Sequence, residues 1–190
     1  MVRTGCSTGQ LVDLLDEATK SDCLETITSG VKAALMQVIA SGTLKLDEEA
    51  LVPCGSAYGR RHLHTDPNGR YSVVAMIWGQ DQGTPIHDHD DKWCVEGVYQ
   101  GEILVTTYEI CPTSDPDRVE VEFCGTSTAI IGEAGALIPP HDYHVIENKT
   151  SKTAVTIHVY GGEMKGCNVF EPVEGGKLFQ KTWKSLCYND

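Results

Sequence analysis

Apolar residues in this chain change their spacing at about residue 70, and this change limits the possible folds more than any other feature. Upstream, they recur every three or four positions, as in amphipathic helices. Downstream, β-branched and apolar runs alternate with Gly, Pro, Asp and Asn, as in short strands joined by turns. The predicted strands cover residues 71–78, 102–109, 119–123, 135–138 and 154–160. So many short strands predict a mainly β sandwich or barrel.

Two helices are predicted in the N-terminal segment, residues 1–45. The first lies around residues 11–18, and the second presents an apolar face formed by Leu24, Ile27, Val31, Leu35 and Val38. Asp22 and Glu25 match a capping box at the start of the second helix. We expect the apolar faces of both helices to pack against the sheet.

Length and composition favour a single domain over residues 1–190, because 190 residues can bury one substantial core and no composition break divides the chain. Within it we expect a barrel core at residues 58–171 and a C-terminal extension at 172–190. Residues 111–117, rich in Pro and Asp, predict an exposed loop between strands.

The net charge of −12, without a cluster of Lys or Arg, argues against nucleic acid and anionic membranes as partners. A small molecule is the expected partner. No long apolar segment or cleavage signal is present, so we expect a soluble, cytoplasmic protein. The eight cysteines contain no CxxC pair, and most should be free thiols. Sequence leaves open whether the protein is a monomer or a small homo-oligomer.

His87 and His89 stand two residues apart, so on an extended segment both imidazoles point to the same side. Both can therefore reach one metal ion. With a third histidine from elsewhere they would form a facial triad, which leaves the opposite face of the ion open to substrate and dioxygen and suits non-haem Fe(II). Imidazole sites also take zinc, nickel and copper, so the residues alone leave the metal open.

Two segments resemble the two motifs of the cupin superfamily. His87 and His89 are followed by Cys94 and Gly101 at the spacing of the first motif, with cysteine where the usual acidic ligand stands. His144 occupies the histidine position of the second motif, although the usual middle glycine is missing. The resemblance implies a cupin jelly-roll β-barrel with the N-terminal α-helices packed on it, and His144 as the third metal ligand.

The absent carboxylate matters for charge, because three neutral imidazoles leave an Fe(II) ion with its full double positive charge. Such a site should favour an anionic ligand. A substrate thiolate is the natural candidate, since coordination deprotonates a thiol.

At this point the chain resembles the thiol dioxygenases, and among them the cysteine dioxygenases, over about residues 58–167. Thr156, His158 and Tyr160 are similar to the Ser-x-His-x-Tyr motif of that family, with threonine in place of serine. The resemblance implies that the Tyr160 hydroxyl lies beside the iron, oriented by His158 and Thr156. It also implies that Cys94 can be crosslinked to Tyr160.

Tyr58 and Arg60 resemble the family's Tyr-x-Arg motif, in which the arginine binds the substrate carboxylate. Counting back from His87 without a gap selects Arg61 instead, so both arginines remain candidates. Either guanidinium could hold a carboxylate through two hydrogen bonds. Cys167 matches a position that lines the family's substrate pocket, and packing is an equally good interpretation of it.

The resemblance implies that the protein uses Fe(II) and dioxygen to oxidise a small thiol, with L-cysteine giving cysteine sulfinic acid as the first choice. The alternatives are another thiol carboxylate, 3-mercaptopropionate or mercaptosuccinate, and a non-catalytic metal-bound cupin. No arginine follows Tyr160, where relatives that oxidise 3-mercaptopropionate carry one, and this absence favours cysteine.

Overall fold

The computed structural model describes residues 7–53, 55, 57–173, 175 and 177–189. They form two α-helices, a short 3-10 helix and eleven strands, and the prediction of a mainly β fold with N-terminal helices is confirmed. The elements in chain order are α1 Gly9–Ala18, α2 Leu24–Ala40, the 3-10 helix Glu48–Leu51, β1 Gly59–Thr65, β2 Ser72–Trp78, β3 Ile86–His87, β4 Cys94–Gln100, β5 Glu102–Pro112, β6 Arg118–Ile130, β7 Ala134–Leu137, β8 His144–Glu147, β9 Ala154–Tyr160, β10 Gly166–Pro172 and β11 Leu178–Ser185.

The strands form two antiparallel sheets that enclose a common interior. One sheet has five strands in the order β1-β2-β9-β4-β7, and the other has six, in the order β10-β11-β6-β5-β8-β3, and closes through β3 and β10. Neighbouring strands are often far apart in sequence, as in β2-β9-β4. This is the double-sheet jelly roll of a cupin barrel.

Strand β9 lies at the centre of the five-stranded sheet, and all seven of its residues are buried. Its odd-numbered residues face the helices, where Val155, Ile157 and Val159 join a cluster with α1 and α2. The even-numbered residues face the barrel interior, because side chains alternate across a strand. The helices thus cover one face of this sheet, as expected, and leave the other for the barrel.

The chain reverses tightly between β4 and β5 at Gly101. Its φ of 76° lies in the left-handed region, and a Cβ there would come within 3.0 Å of the Ala154 Cα. Both the positive φ and the close contact with Ala154 therefore require glycine at this turn.

Several local predictions differ from the structure. The capping box is wrong, because Cys23 is the N-cap of α2 and no side chain caps the helix. The loop at residues 111–117 is shorter than expected, since β5 continues to Pro112. Residues 172–190, expected as an extension, supply β11, which pairs with β10 and β6 inside the six-stranded sheet.

Among the described residues, no helix is long and apolar enough to cross a membrane. The six cysteines in the described part of the chain are free thiols, of which Cys94 and Cys167 are buried.

Packing of α2 on the sheet leads to a prediction about stability. Leu35 is fully buried, and an added Cβ on Gly97 of β4 would contact it at 3.5 Å, so little space separates helix and strand. Leu35→Ala should lower the free energy of unfolding by about 2–5 kcal/mol, as buried leucines do when a cavity remains. Denaturant unfolding would measure this.

Met36, the next residue along α2, is 40% exposed and serves as the matched control. Met36→Ala should change the free energy of unfolding by less than about 1 kcal/mol. Equal losses for the two variants would contradict the packing of this helix face.

Candidate metal centre

Three histidines converge inside the barrel at its shortest strand pair. His87 ends β3 and lies opposite His144, the first residue of β8, while His89 follows two residues after His87. One ring nitrogen from each of the three lies within 4.8 Å of the others. The ring centroids are 4.5 Å to 5.2 Å apart. The structure therefore brings these three side chains together.

Hydrogen bonds orient two of the rings and leave one nitrogen of each available. His87 Nδ1 lies 3.2 Å from the Pro85 carbonyl oxygen, and His89 Nδ1 donates to Asp142 Oδ2 at 2.9 Å. Neither ring nitrogen of His144, which is 1% exposed, has a hydrogen-bond partner among the described residues. Unpaired buried nitrogens are unfavourable unless something binds them. The three rings therefore fit a metal ion, and His87 and His89 are oriented by a hydrogen bond at the second ring nitrogen, as metal-binding histidines usually are.

Burial also keeps the His87 and His144 rings neutral, as metal ligands must be. Desolvation, together with repulsion from the neighbouring imidazoles, lowers the pKa of His87 to about 3. The same two causes place the pKa of His144 well below its ordinary value. At neutral pH both imidazoles thus have a free lone pair for a metal ion.

Cys94 and Tyr160 face each other across the β4 and β9 pair, beside the histidines. Burial raises the pKa of the Cys94 thiol and of the Tyr160 phenol well above their ordinary values. Directly paired residues in an antiparallel sheet have Cβ atoms only about 5 Å apart. The two side chains are therefore neutral neighbours on one face.

Thr156, His158 and Tyr160 all point into the barrel from β9, as the alternation predicted. Thr156 Oγ1 lies 2.7 Å from His158 Nε2, and the His158 ring stacks on that of Tyr160 with centroids 5.9 Å apart. The Tyr160 ring centroid is 6.2 Å from that of His89. Its hydroxyl contacts Met76 Sδ at 3.9 Å. His158 thus contacts Tyr160 through ring stacking, and Thr156 contacts His158 directly.

A small cavity of about 30 Å³ adjoins the histidines. Its walls include the predicted residues Tyr58, Arg60 and Cys167, together with His87, His89 and Tyr160. Arg61 is absent from the described lining, because neighbouring residues on β1 face opposite sides of the sheet.

Arg60 is only 4% exposed, which is unusual for a guanidinium. Its Nη1 donates a long hydrogen bond of 3.4 Å to the Cys187 carbonyl, and the group lies over the Tyr188 ring at 5.3 Å. Its Nη2 is buried without a hydrogen-bond partner among the described residues. A buried guanidinium in the cavity wall that still has an unbonded N–H donor can bind an anion.

The other predicted wall residues are uncharged. Burial raises the pKa of the Cys167 thiol to about 11 and raises that of the Tyr58 phenol. The Tyr58 ring packs against Trp78 at 4.6 Å. Lys184 also lines the cavity but is exposed, so Arg60 is the buried cationic group positioned for an anionic ligand there.

Sequence reasoning did not single out Asp142, Glu96 or Trp78. Asp142 is 2% exposed and accepts hydrogen bonds from both the backbone N–H and the ring of His89. Trp78 Nε1 donates to Thr156 Oγ1 at 2.9 Å. The available signals were positional, since Asp142 lies two residues before His144 and Glu96 two residues after Cys94.

The chain is similar to known cysteine dioxygenases. It is 28% identical to cysteine dioxygenase type 1 of Bos taurus over 120 residues, covering 62% of this chain and 58% of that protein. It is 26% identical to the Homo sapiens protein over 120 residues, with the same two coverages. The match thus spans somewhat more than half the length of these curated relatives.

Solved structures with a similar barrel are more distant. A protein of Thermus thermophilus has a TM-score of 0.45 at 14% identity, covering 62% of this chain and 95% of that one. An oxalate oxidase in complex with glycolate has a TM-score of 0.43 at 18% identity, covering 57% of this chain and 53% of that one.

The model of the family described as cysteine dioxygenase type I matches residues 33–172. This range runs from α2 through β10 and includes the three histidines, Cys94 and Tyr160. The chain belongs to the cysteine dioxygenase type I family.

Proposed function

We propose that this protein is a thiol dioxygenase that holds Fe(II) on His87, His89 and His144 and oxidises L-cysteine to cysteine sulfinic acid. One observation carries the proposal: two of the three histidines able to hold a metal, His87 and His89, line the same small cavity as Arg60, whose Nη2 has no hydrogen-bond partner among the described residues. A substrate that carries a thiol and a carboxylate a few bonds apart complements both groups.

Iron(II) bound at the three histidines would supply the redox chemistry that joins dioxygen to sulfur. The chain provides three neutral ligands and, through Asp142, a fixed orientation for the His89 ring. Because no ligand carries a charge, the site favours an anionic sulfur over a neutral one.

Arg60 would bind the substrate carboxylate. Its Nη2, which has no hydrogen-bond partner among the described residues, would donate a charge-assisted hydrogen bond to that carboxylate. Tyr58 and Cys167 complete that end of the cavity. The reaction adds both atoms of dioxygen to one thiol, so its atoms balance without a further reductant. The residues contribute chiefly by holding the substrate and excluding water.

The cavity of about 30 Å³ favours a compact thiol. Oxidation of 3-mercaptopropionate or mercaptosuccinate would use the same residues, and a metal-bound cupin without activity would use only the histidines. Comparing these thiols with L-cysteine separates the three possibilities.

Cys94 and Tyr160 would form a thioether crosslink during turnover. Their direct pairing across β4 and β9 supports this, because the sulfur needs to reach only the neighbouring ring. Forming the bond removes one hydrogen from each residue, and dioxygen accepts both.

The first prediction concerns substrate binding. Fe(II)-loaded protein should consume oxygen with L-cysteine and yield cysteine sulfinic acid, and Arg60→Ala should raise the KM for cysteine about 10- to 100-fold, because a hydrogen bond to a charged group is worth about 1.5–3 kcal/mol. Arg61→Ala is the matched control and should leave KM within about twofold.

Cysteamine, which lacks the carboxylate, sharpens this test. Wild-type protein should prefer cysteine to cysteamine, and Arg60→Ala should lose most of that preference. A raised KM in Arg61→Ala alone would reverse the arginine assignment, and no product from any thiol would contradict the proposed function.

The second prediction concerns the metal. Asp142→Asn should weaken binding of Fe(II) or Zn(II) about 10- to 100-fold, as loss of a carboxylate behind a histidine ligand does. Competition with a chelator would measure it. Asp91→Asn makes the same charge change at an exposed position two residues after His89 and should leave affinity unchanged. Equal affinities for all three proteins would show that Asp142 has no part in metal binding.

The third prediction concerns the crosslink. After turnover with cysteine, intact mass should fall by two hydrogen atoms, and digestion should yield one species joining the peptides that contain Cys94 and Tyr160. Cys94→Ala should abolish the change. Cys167→Ala, which removes another buried thiol of the same region, should retain it. Finding only the separate peptides in wild-type protein would rule the crosslink out.

A further inference from the structure

A second cavity of about 460 Å³ adjoins β4 and β9, and Glu96 and Thr156 reach it from the same face of these strands as His158. Residues of α2, β4, β5, β6 and β7 form its walls, which are mostly apolar. The charged residues in its described lining are Lys32, Glu96 and Glu133. The uncharged Thr156 also lines this cavity. Glu96 and Thr156 therefore face this cavity and also contact His158, which lines the cavity at the metal centre.

Glu96 is nine-tenths buried, and its Oε2 has no hydrogen-bond partner among the described residues. It pairs directly with His158 across β4 and β9. Its Oε2 lies 3.4 Å from His158 Nδ1, and Cys94 Sγ lies 3.9 Å from the same nitrogen. The carboxylate is both the nearer and the stronger acceptor for an Nδ1–H group.

Hydrogen bonds at the other ring nitrogen favour one tautomer of His158. The Trp78 indole can only donate, so Thr156 Oγ1 accepts from it at 2.9 Å. The remaining neighbour of Oγ1 among the described residues is His158 Nε2 at 2.7 Å. A hydroxyl hydrogen donated to Nε2 leaves the ring proton on Nδ1, the nitrogen that lies 3.4 Å from Glu96 Oε2.

We propose that Glu96 is a positioning residue for His158: its carboxylate accepts the Nδ1–H, fixes the tautomer and plane of the ring that stacks on Tyr160, and makes the metal centre responsive to the ionisation of a group in the second cavity. The role rests on the proposed function, because Tyr160 affects turnover only if a thiol is oxidised there.

Surrounding groups determine when Glu96 ionises. Burial raises its pKa to about 7. Toward the metal centre it faces His158, Cys94 and Tyr160, and burial keeps all three neutral at this pH by lowering the pKa of the histidine and raising those of the thiol and phenol. On the cavity side it shares the wall with Lys32 and Glu133. Ionisation of Glu96 is therefore the change expected near pH 7.

Nitrogen NMR of the full chain, loaded with diamagnetic Zn(II) and labelled with ¹⁵N-histidine, tests the contact without any turnover. His158 is identified by the signal lost in His158→Asn. At pH 8 its Nδ1 should carry the proton, and the Nδ1 shift should move as pH falls through about 7. Glu96→Gln preserves the shape and should remove that movement, whereas Glu133→Gln, the same change in the same cavity, should retain it.

Kinetics with Fe(II) and L-cysteine provide the second measurement. Glu96→Gln should lower kcat on the order of tenfold at pH 8 with KM unchanged, a size typical of a misplaced group. The two proteins should converge at pH 6, where Glu96 is protonated. A wild-type His158 with the proton on Nε2, or the same pH course in Glu96→Gln, would overturn the inference. Absence of thiol oxidation in wild-type protein would instead contradict the proposed function and leave the NMR result valid.

Discussion

The pairing of His87 with His144 is the contact on which the candidate site depends. Strand β3 has only two residues, yet it is hydrogen-bonded on both sides, to β8 and to β10. That pairing brings together two histidines more than fifty residues apart in sequence, and the extended chain after β3 places His89 beside them. A one-residue slip would turn His87 away from the interior and dismantle the cluster.

Charge within the barrel follows from this enclosure. Burial lowers the pKa of the His87 and His144 imidazoles and raises those of the Cys94, Cys167 and Tyr160 side chains, so these five groups are neutral at pH 7. Arg60 keeps its charge in the same interior, because a guanidinium does not lose its proton. A metal ion together with Arg60 would place several positive charges in a poorly solvated space. A ligand with two negative groups, thiolate and carboxylate, balances that arrangement better than a ligand with one.

Sequence predicted both helices, strands β2, β5, β7 and β9, part of β6 and the metal cluster, but missed β1, β3, β4, β8, β10 and β11. Helix α2 and strands β2 and β9 carry strong apolar patterns, and the histidines sit in two motifs with defined spacing. Strands β3 and β8 have two and four residues, which is too few for an alternation of apolar and polar residues to be recognised. Strand β11 was missed because its residues are mainly polar and exposed, and its place depends on pairing with β10. The roles of Asp142 and Glu96 likewise depend on contacts that form only in the folded chain, so the sequence alone did not reveal them.

The choice between Arg60 and Arg61 shows why the spacing of residues along the chain was insufficient to identify the arginine that faces the metal centre. Counting without gaps from His87 selects Arg61, and the tyrosine motif selects Arg60. In the sheet, Arg60 pairs with Met76, whose side chain lines the cavity, whereas Arg61 pairs with Ala75, which packs toward the helices. An irregularity in the pairing between His62 and His64 shifts the register of the rest of β1. The side chain that faces the metal centre is thus determined by strand pairing, and two adjacent arginines of identical chemistry acquire different environments from it.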